Sequence, residues 1–179
     1  MTEEHFDILD DKGKLTGEIR SNSDTHGKGL IHRTAHVWLL NPKKELLFQK
    51  RSLNKTAYPG LWDISAAGHI SAGQTSLEAA KRETEEELGL SLPDSAFKYL
   101  FTVEERIVLN NGTYINNEFQ DVYLVHLETM PQKLNLQPEE VDEVRWISVK
   151  EFKSWINGKG EPLVSHKEEY RKLLEFLNK

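Results

Sequence analysis

Residues 68–90, GHISAGQTSLEAAKRETEEELGL, form the most informative stretch of this chain. They join a glycine-containing loop to a predicted helix over residues 77–88. At about 100° per residue, the side chains of Glu83, Glu86 and Glu87 fall within one arc of roughly 100° on that helix. An apolar stripe lies beside this arc, so one side of the helix is expected to pack and the next carries a cluster of carboxylates.

Carboxylates at this spacing need a counter-charge. Two of them about 5 Å apart repel by about 3 kcal/mol at an effective dielectric constant near 20. Mg²⁺ or Mn²⁺ would supply the charge, because hard divalent cations take carboxylate oxygens and substrate phosphates as ligands. A solvated acidic helix face is the alternative, and Glu85, on the opposite side of the helix, fits that description. The pattern therefore favours a metal-binding helix.

The same segment resembles the Nudix box. Seven positions match that motif in register: Gly68, Arg82, Glu83, Glu86, Glu87, Gly89 and Leu90. Two positions depart from it, because Gln74 replaces the first glutamate of the box and Thr84 replaces an apolar residue. The Gln74 departure removes a negative charge beside the cluster. This loss would weaken a second or third metal site, and it leaves the core ligands intact.

The resemblance implies a metal site and roles for its residues. Glu83, Glu86 and Glu87 would bind Mg²⁺ or Mn²⁺, the loop backbone at Ala67 would offer a carbonyl ligand, and Arg82 would brace the carboxylates. Glu86 and Arg82 would accordingly take part in catalysis.

Members of this family often use a further acidic residue from outside the box as a ligand or general base. Glu118 is the first candidate, because it begins a predicted strand that would face the helix across a cleft. Glu104 and Glu105 follow it, and a solvated glutamate at the end of a strand is the alternative for each.

The resemblance also implies an α/β fold, a Nudix-like α/β/α sandwich with a mixed β-sheet, and the predicted elements agree with it. We expect an N-terminal hairpin and loop over residues 1–29, a Nudix domain over 30–157, and a C-terminal linker and helix over 158–179. The predicted strands are 6–9, 15–20, 31–40, 45–50, 62–67, 97–109, 119–127 and 144–147. The predicted helices are 77–88, 149–156 and 166–177, and residues 21–29 are predicted to form a loop.

Composition limits the classes of function. The net charge of −6 argues against binding to a nucleic-acid polymer, because such binding depends on Lys and Arg neutralising phosphates. No apolar run approaches the roughly 18 residues of a membrane span. The chain contains no Cys, which fits a cytoplasmic protein, and its start is acidic rather than like a signal peptide. A homodimer remains open.

A basic loop precedes the glycine-containing loop. Arg51 and Lys55 lie there between a strand and a Pro-Gly turn, where they could bind the phosphates of a substrate. A solvated basic loop is the alternative. Histidines also recur around this region, and His32, His36 and His69 are each open to metal binding or to ordinary hydrogen bonding.

The stretch over residues 50–69, KRSLNKTAYPGLWDISAAGH, is similar to type I isopentenyl-diphosphate isomerase, a Nudix-fold enzyme. That similarity implies diphosphate binding by Arg51 and Lys55, and it places His26, His32 and His69 near a metal. The isomerase carries an essential Cys where this chain has Ala67. Asn116 also replaces the first residue of an expected acidic pair.

Hydrolysis is therefore favoured over isomerisation. The expected activity is divalent-metal-dependent cleavage of a diphosphate linkage in a small molecule, such as a nucleoside diphosphate derivative. An isomerase-like enzyme and a catalytically decayed ligand-binding module are the alternatives. Nucleoside diphosphates, nucleotide sugars, dinucleotides and prenyl diphosphates all remain open as substrates.

Overall fold

The computed structural model describes residues 3–131 and 133–178. The predicted terminal segments also include residues 1, 2 and 179, which lie outside the described residues. The strands are β1 (His5–Leu9), β2 (Leu15–Ser21), β3 (His32–Leu40), β4 (Glu45–Arg51), β5 (Trp62–Asp63), β6 (Ala66–His69), β7 (Phe97–Leu109), β8 (Tyr114–His126) and β9 (Val141–Ser148). The helices are α1 (Asn22–Lys28), α2 (Ser76–Leu88), α3 (Val149–Ile156) and α4 (Lys167–Leu177).

Seven of these strands form one mixed sheet in the order β5-β4-β3-β8-β7, with β6 also paired to β3 and β9 to β4. Strands β3 and β8 run parallel, and the other pairs are antiparallel. Strands β1 and β2 form a separate hairpin, as predicted. The register of β3 brings His32 opposite Glu118 and Thr34 opposite His69, so three strands converge at one end of the sheet.

Alternating side chains along the strands build two apolar layers. On one face, Val37 and Val125 pack with Ala80 and Leu88 of α2. On the other face, the alternate strand residues pack with α3 and α4. Trp38, Phe48 and Leu124 of the strands contact this layer, which also contains Phe152 of α3 and Leu173 of α4. The sheet therefore lies between helices, which confirms the predicted α/β/α sandwich.

Helix α2 is specified by its own sequence. The Thr75 side chain accepts a hydrogen bond from the Glu78 backbone, and the Glu78 carboxylate accepts one from the Thr75 backbone at 2.8 Å. This capping box satisfies backbone donors that the first turn leaves free. Gly89 ends the helix in the left-handed conformation, with φ of 69°, which favours glycine. The end of α2 agrees with the prediction, and its start lies one residue earlier than predicted.

Three predictions of local structure are wrong. The predicted loop over residues 21–29 contains α1 instead, because Ser21 caps the start of this helix and Gly29 ends it at φ 63°. The strand predicted over 62–67 is divided into β5, which pairs with β4, and β6, which pairs with β3. Glu118 does not begin a strand but lies within β8, since pairing with β7 extends back to Tyr114.

The C-terminal segment is built into the sandwich. The Trp62 backbone N–H donates to Pro162 O at 3.0 Å, and Val164 N–H donates to Trp62 O at 2.8 Å. Helix α4 then packs its Tyr170 and Leu173 into the core beneath the sheet. None of the described helices combines the length and apolar character needed to cross a membrane.

Candidate active site

A cleft of about 620 Å³ opens where α2, the convergent strand ends and the C-terminal segment meet. Eight residues predicted from the sequence for catalysis, metal binding or phosphate binding line it: Arg51, Lys55, Ala67, Arg82, Glu83, Glu86, Glu87 and Glu118. Glu105 also lines this cleft, whereas Glu104 is exposed and does not. The predicted residues are thus brought together from five separate parts of the chain.

The α2 carboxylates differ in exposure. Glu83 and Glu87 are buried, whereas Glu86 is exposed to the cleft. Arg82 Nη1 lies 2.7 Å from Glu83 Oε1 and 3.0 Å from Glu86 Oε2, and its Nη2 donates to the backbone oxygen of His69 at 2.9 Å. Arg82 therefore ties two of the carboxylates to strand β6.

Glu87 is oriented from two sides. Its Oε2 accepts hydrogen bonds from Gln49 Nε2 at 3.0 Å and from the Ala67 backbone N–H at 3.2 Å. Burial, followed by repulsion from Glu83, raises the pKa of Glu87 well above its ordinary value. Burial disfavours the ionised form of this carboxylate, and a bound cation would stabilise that form.

Gly68 provides the room that this cluster requires. A β-carbon at position 68 would overlap the carboxylate of Glu83, so only glycine admits that side chain against the strand. Burial, opposed by Arg82 and assisted by Glu86, raises the pKa of Glu83 to about 7. The crowded oxygens, their raised pKa values and the adjacent backbone of Ala67 fit a hard divalent cation.

The raised pKa of Glu83 gives a stability prediction. Between about pH 4.5 and pH 7 the folded protein holds a proton on Glu83 that the unfolded chain has lost, so stability falls as the pH rises. In EDTA, we expect Glu83→Gln to gain up to about 3 kcal/mol relative to the parent across that window. Urea unfolding at pH 5, 6, 7 and 8 measures the difference. Parallel pH curves for the two proteins would contradict the assignment.

Three histidines form a second group beside the cleft, which His69 lines. The nitrogen atoms of His26, His32 and His69 that could bind a metal all lie within 4.8 Å of one another. His26 Nδ1 lies 3.3 Å from Ile115 O and His32 Nδ1 lies 3.1 Å from Leu30 O, so these nitrogens carry the protons that they donate. Nε2 of His26 is then an acceptor, and it lies 3.1 Å from the Tyr114 hydroxyl and 3.2 Å from His69 Nε2.

The electrostatics of this histidine group also suit a cation. His32 Nε2 is buried without a hydrogen-bond partner among the described residues. Burial, and then His32, lowers the pKa of His69 to about 3 and also lowers the pKa of His26, so both are neutral near pH 7. Neutral imidazole with its second nitrogen bound to a carbonyl is the form that ligates metals in proteins.

Glu118 completes the histidine group. Its Oε1 lies 3.5 Å from His32 Nε2 and 3.8 Å from His69 Nε2, and its Oε2 accepts from Gln120 Nε2 at 3.1 Å. Burial alone would raise the pKa of Glu118, but the neighbouring histidines outweigh it and hold that pKa well below its usual range. Glu118 therefore contributes a negative charge to the group.

Two ion pairs hold the cations of the basic loop at the wall of the cleft. Arg51 Nη1 donates to Asp63 Oδ2 at 3.0 Å, and Arg51 Nε donates to Ala57 O at 2.9 Å. Lys55 pairs with Glu140. Both cations are only partly exposed, so they are fixed at the wall of the cleft rather than free in solvent.

A family model described as the NUDIX domain matches residues 30–167. The chain belongs to the Nudix family. The match extends ten residues beyond the end expected at residue 157, into the C-terminal segment that lines the cleft.

Relatives place this Nudix domain beside hydrolases and isomerases. Nudix hydrolase 3 of Arabidopsis thaliana is 43% identical over 182 residues, which cover 99% of this chain and 24% of that protein. The chain therefore spans about a quarter of that relative's length. An isopentenyl-diphosphate Delta-isomerase of Pectobacterium atrosepticum is 33% identical over 145 residues, covering 81% of this chain and 76% of the isomerase.

Solved structures share the fold of this Nudix domain at lower identity. DR0079 from Deinococcus radiodurans aligns with a TM-score of 0.74 at 20% sequence identity, covering 94% of this chain and 98% of that one. The Nudix domain of NrtR from Shewanella oneidensis, solved in complex with ADP-ribose, aligns with a TM-score of 0.61 at 18% identity, covering 81% of this chain and 87% of that one.

The Nudix site also contains residues that sequence reasoning missed. Asp63 and His166 line the cleft beside Arg51, and Gln49 orients Glu87 from β4. Asp63, Gln49 and His166 belong to no short motif, since each reaches the site through pairing between distant parts of the chain. His36, which the sequence left open to metal binding, is outside the group of His26, His32 and His69, and its Nδ1 is 2.8 Å from Glu169 Oε2 of α4.

Proposed function

We propose that this Nudix domain is a divalent-metal-dependent hydrolase that cleaves a diphosphate linkage in a small molecule. One observation carries the proposal: the carboxylates of α2 and the cations Arg51 and Lys55 line the same cleft. Carboxylates that hold a cation and side chains that bind phosphate are the two halves of a site for a metal-complexed diphosphate.

Each residue then has a part in the reaction. Glu83, Glu86, Glu87 and the carbonyl of Ala67 would hold Mg²⁺ or Mn²⁺, and Arg82 would keep the first two carboxylates in place. The cation supplies charge neutralisation at phosphate oxygens and a lower pKa for attacking water. Of these three carboxylates, Glu86 is the one with access to solvent, so we assign it contact with that water as well.

We propose a different role for Glu118 from the one expected from the sequence. A carboxylate whose pKa is held well below its usual range is a weak proton acceptor but a good ligand. We therefore assign Glu118 to a second cation position, together with His26, His32 and His69. Imidazole ligands favour Mn²⁺ or Zn²⁺ over Mg²⁺ at this position.

The histidine group is also the observation that favours the isomerase alternative, because similarity to isopentenyl-diphosphate isomerase placed these histidines near a metal. Against it stands Ala67, whose methyl group cannot transfer a proton, in a chain without Cys. A ligand-binding module without catalysis is the other alternative. It would keep diphosphate binding but show no turnover.

A substrate screen tests the proposal. Purified protein is incubated with Mg²⁺ or Mn²⁺ and a panel of ADP-ribose, a dinucleoside tetraphosphate, nucleoside diphosphates, a nucleotide sugar and isopentenyl diphosphate. Phosphate release and product mass are measured together. We expect at least one compound to be cut at its diphosphate linkage, with no cleavage in EDTA. Turnover that is unchanged by EDTA would contradict the proposal.

The basic loop gives a kinetic prediction. Arg51→Ala and Lys55→Ala are each expected to raise KM for a diphosphate substrate by about 10-fold and to change kcat less, because a hydrogen bond to a charged group is worth about 1.5–3 kcal/mol. Lys153→Ala, an exposed lysine on α3, is the matched control. Unchanged KM in both loop variants would show that the loop is only a solvated basic surface.

A further inference from the structure

His166 lies on the wall of the cleft although it precedes the last helix of the chain. The paired backbones of Trp62, Pro162 and Val164 hold the C-terminal segment against β5 and bring His166 beside Asp63. Glu169 anchors the following turn, because its carboxylate accepts from Trp38 Nε1 at 2.6 Å in the core. The position of His166 is therefore set by the fold and not by a flexible tail.

The contacts of His166 define its protonation. Its Nε2 lies 3.1 Å from Asp63 Oδ1, and its Nδ1 lies 3.2 Å from Glu105 Oε1. Ionised carboxylates only accept hydrogen bonds, so both ring nitrogens must donate, which only the imidazolium form can do. Burial alone would lower the pKa of His166, but the carboxylates outweigh it and raise that pKa well above its ordinary value.

Asp63 bridges His166 and Arg51. While Oδ1 of Asp63 faces His166, its Oδ2 accepts from Arg51 Nη1 at 3.0 Å, and the Ile64 backbone N–H donates to Oδ1 at 2.8 Å. The Ala57 carbonyl holds the Nε side of the guanidinium. Within residues 3–131 and 133–178, no hydrogen bond or ion pair occupies Arg51 Nη2, which leaves that edge of the fork for a ligand.

The local charges balance only when His166 is included. Arg51 and His166 carry two positive charges, and Asp63 and Glu105 carry two negative charges. Without the imidazolium, the two carboxylates would outnumber Arg51, and this wall of the cleft would present a net negative charge to an anionic ligand. Charges inside such a partly enclosed cleft are weakly screened, so one unit of charge alters binding appreciably.

We propose that His166 is a positioning residue for diphosphate recognition, holding Asp63 in place and neutralising its charge and that of Glu105 so that Arg51 presents its open edge to the ligand. This role rests on the proposed function, because it takes the ligand of Arg51 to be a diphosphate. It makes the C-terminal segment part of the substrate site, although the sequence suggested only a linker and a helix there.

Calorimetric titration with inorganic pyrophosphate and Mg²⁺ tests the role without turnover. We expect His166→Gln to raise the dissociation constant by about 10-fold. In an Arg51→Ala background the same change should raise the constant less, by about 3-fold, because the positioning of Arg51 is already lost and only the change in net charge remains. His126→Gln, at an exposed strand end, is the matched control and should bind as the parent does.

The outcomes separate this role from the proposed function. If the parent does not bind pyrophosphate, the diphosphate site itself is wrong, and the role of His166 is overturned with it. If the parent binds and His166→Gln binds equally well, only the positioning role is overturned. Additive effects in the double variant would likewise overturn it, since they would show that His166 acts independently of Arg51.

A second variant covers the case in which His166→Gln does not fold, as judged by circular dichroism. Glu105→Gln removes one negative charge from β7 and keeps the contact between His166 and Asp63. It should lower the dissociation constant for pyrophosphate by about 3-fold, because this wall then carries a net positive charge. An unchanged or raised constant would overturn the charge balance on which the role depends.

Discussion

Glu87→Gln is expected to lower kcat/KM at least about 100-fold at saturating Mg²⁺, because a metal ion supplies several kcal/mol of transition-state stabilisation and this variant loses a central ligand. The same variant should unfold at or above the temperature of the parent in EDTA. Glu87 is buried beside Glu83, so removing its charge relieves repulsion and burial cost. Steady-state kinetics and thermal unfolding measure the two effects.

Glu85→Gln is the matched control for this prediction. Glu85 lies on the same helix but is exposed and lines no part of the cleft, so its substitution should leave both activity and unfolding temperature near those of the parent. Full turnover by Glu87→Gln would remove the metal from α2. A marked loss of stability in EDTA would show instead that the carboxylate is a structural partner of Gln49.

The second large effect concerns isopentenyl diphosphate. We expect this protein to produce no dimethylallyl diphosphate and no deuterium incorporation in deuterated water with Mg²⁺ or Mn²⁺. General acid–base catalysis contributes about 10²–10⁴-fold. Ala67 cannot supply it, and no Cys elsewhere in the chain can move in to replace the missing group.

Glu118 and Tyr114 line the same cleft as Ala67 and are the candidates to replace the missing group. Burial raises the pKa of Tyr114 well above its ordinary value, which makes it a poor acid, and Glu118 is held ionised by the histidines. Product formation well above that of a heat-inactivated sample, with retained dependence on metal, would overturn the preference for hydrolysis.

Features encoded within one element were predictable from the sequence. Helix α2 carries its own capping box, its glycine stop and its three glutamates, so both its boundaries and its acidic arc follow from spacing. Helix α1 was missed because its seven residues have polar caps but no apolar stripe. Its cap residues, Ser21 and Gly29, are also common turn formers, and they were interpreted as such.

Features that depend on pairing between distant segments were not predictable. The β7–β8 register brings Glu105 beside Glu118, and the bridge between Trp62 and Leu163 places His166 beside Asp63. No local pattern marks these residues, because their spacing in the chain carries no period. The acidic cluster of the site could therefore be predicted from the sequence. The wall that orients Arg51 could be identified only from the folded structure.

Hydrolysis in ¹⁸O-labelled water tests the central claim most directly. The parent and Glu87→Gln are incubated with the diphosphate panel and Mg²⁺, and the products are analysed by mass spectrometry. We expect the parent to place one ¹⁸O atom in a phosphate product for each linkage cut, and Glu87→Gln to show almost none. Binding of pyrophosphate by the parent without labelled product from any compound, with either Mg²⁺ or Mn²⁺, would contradict the claim and indicate a ligand-binding module.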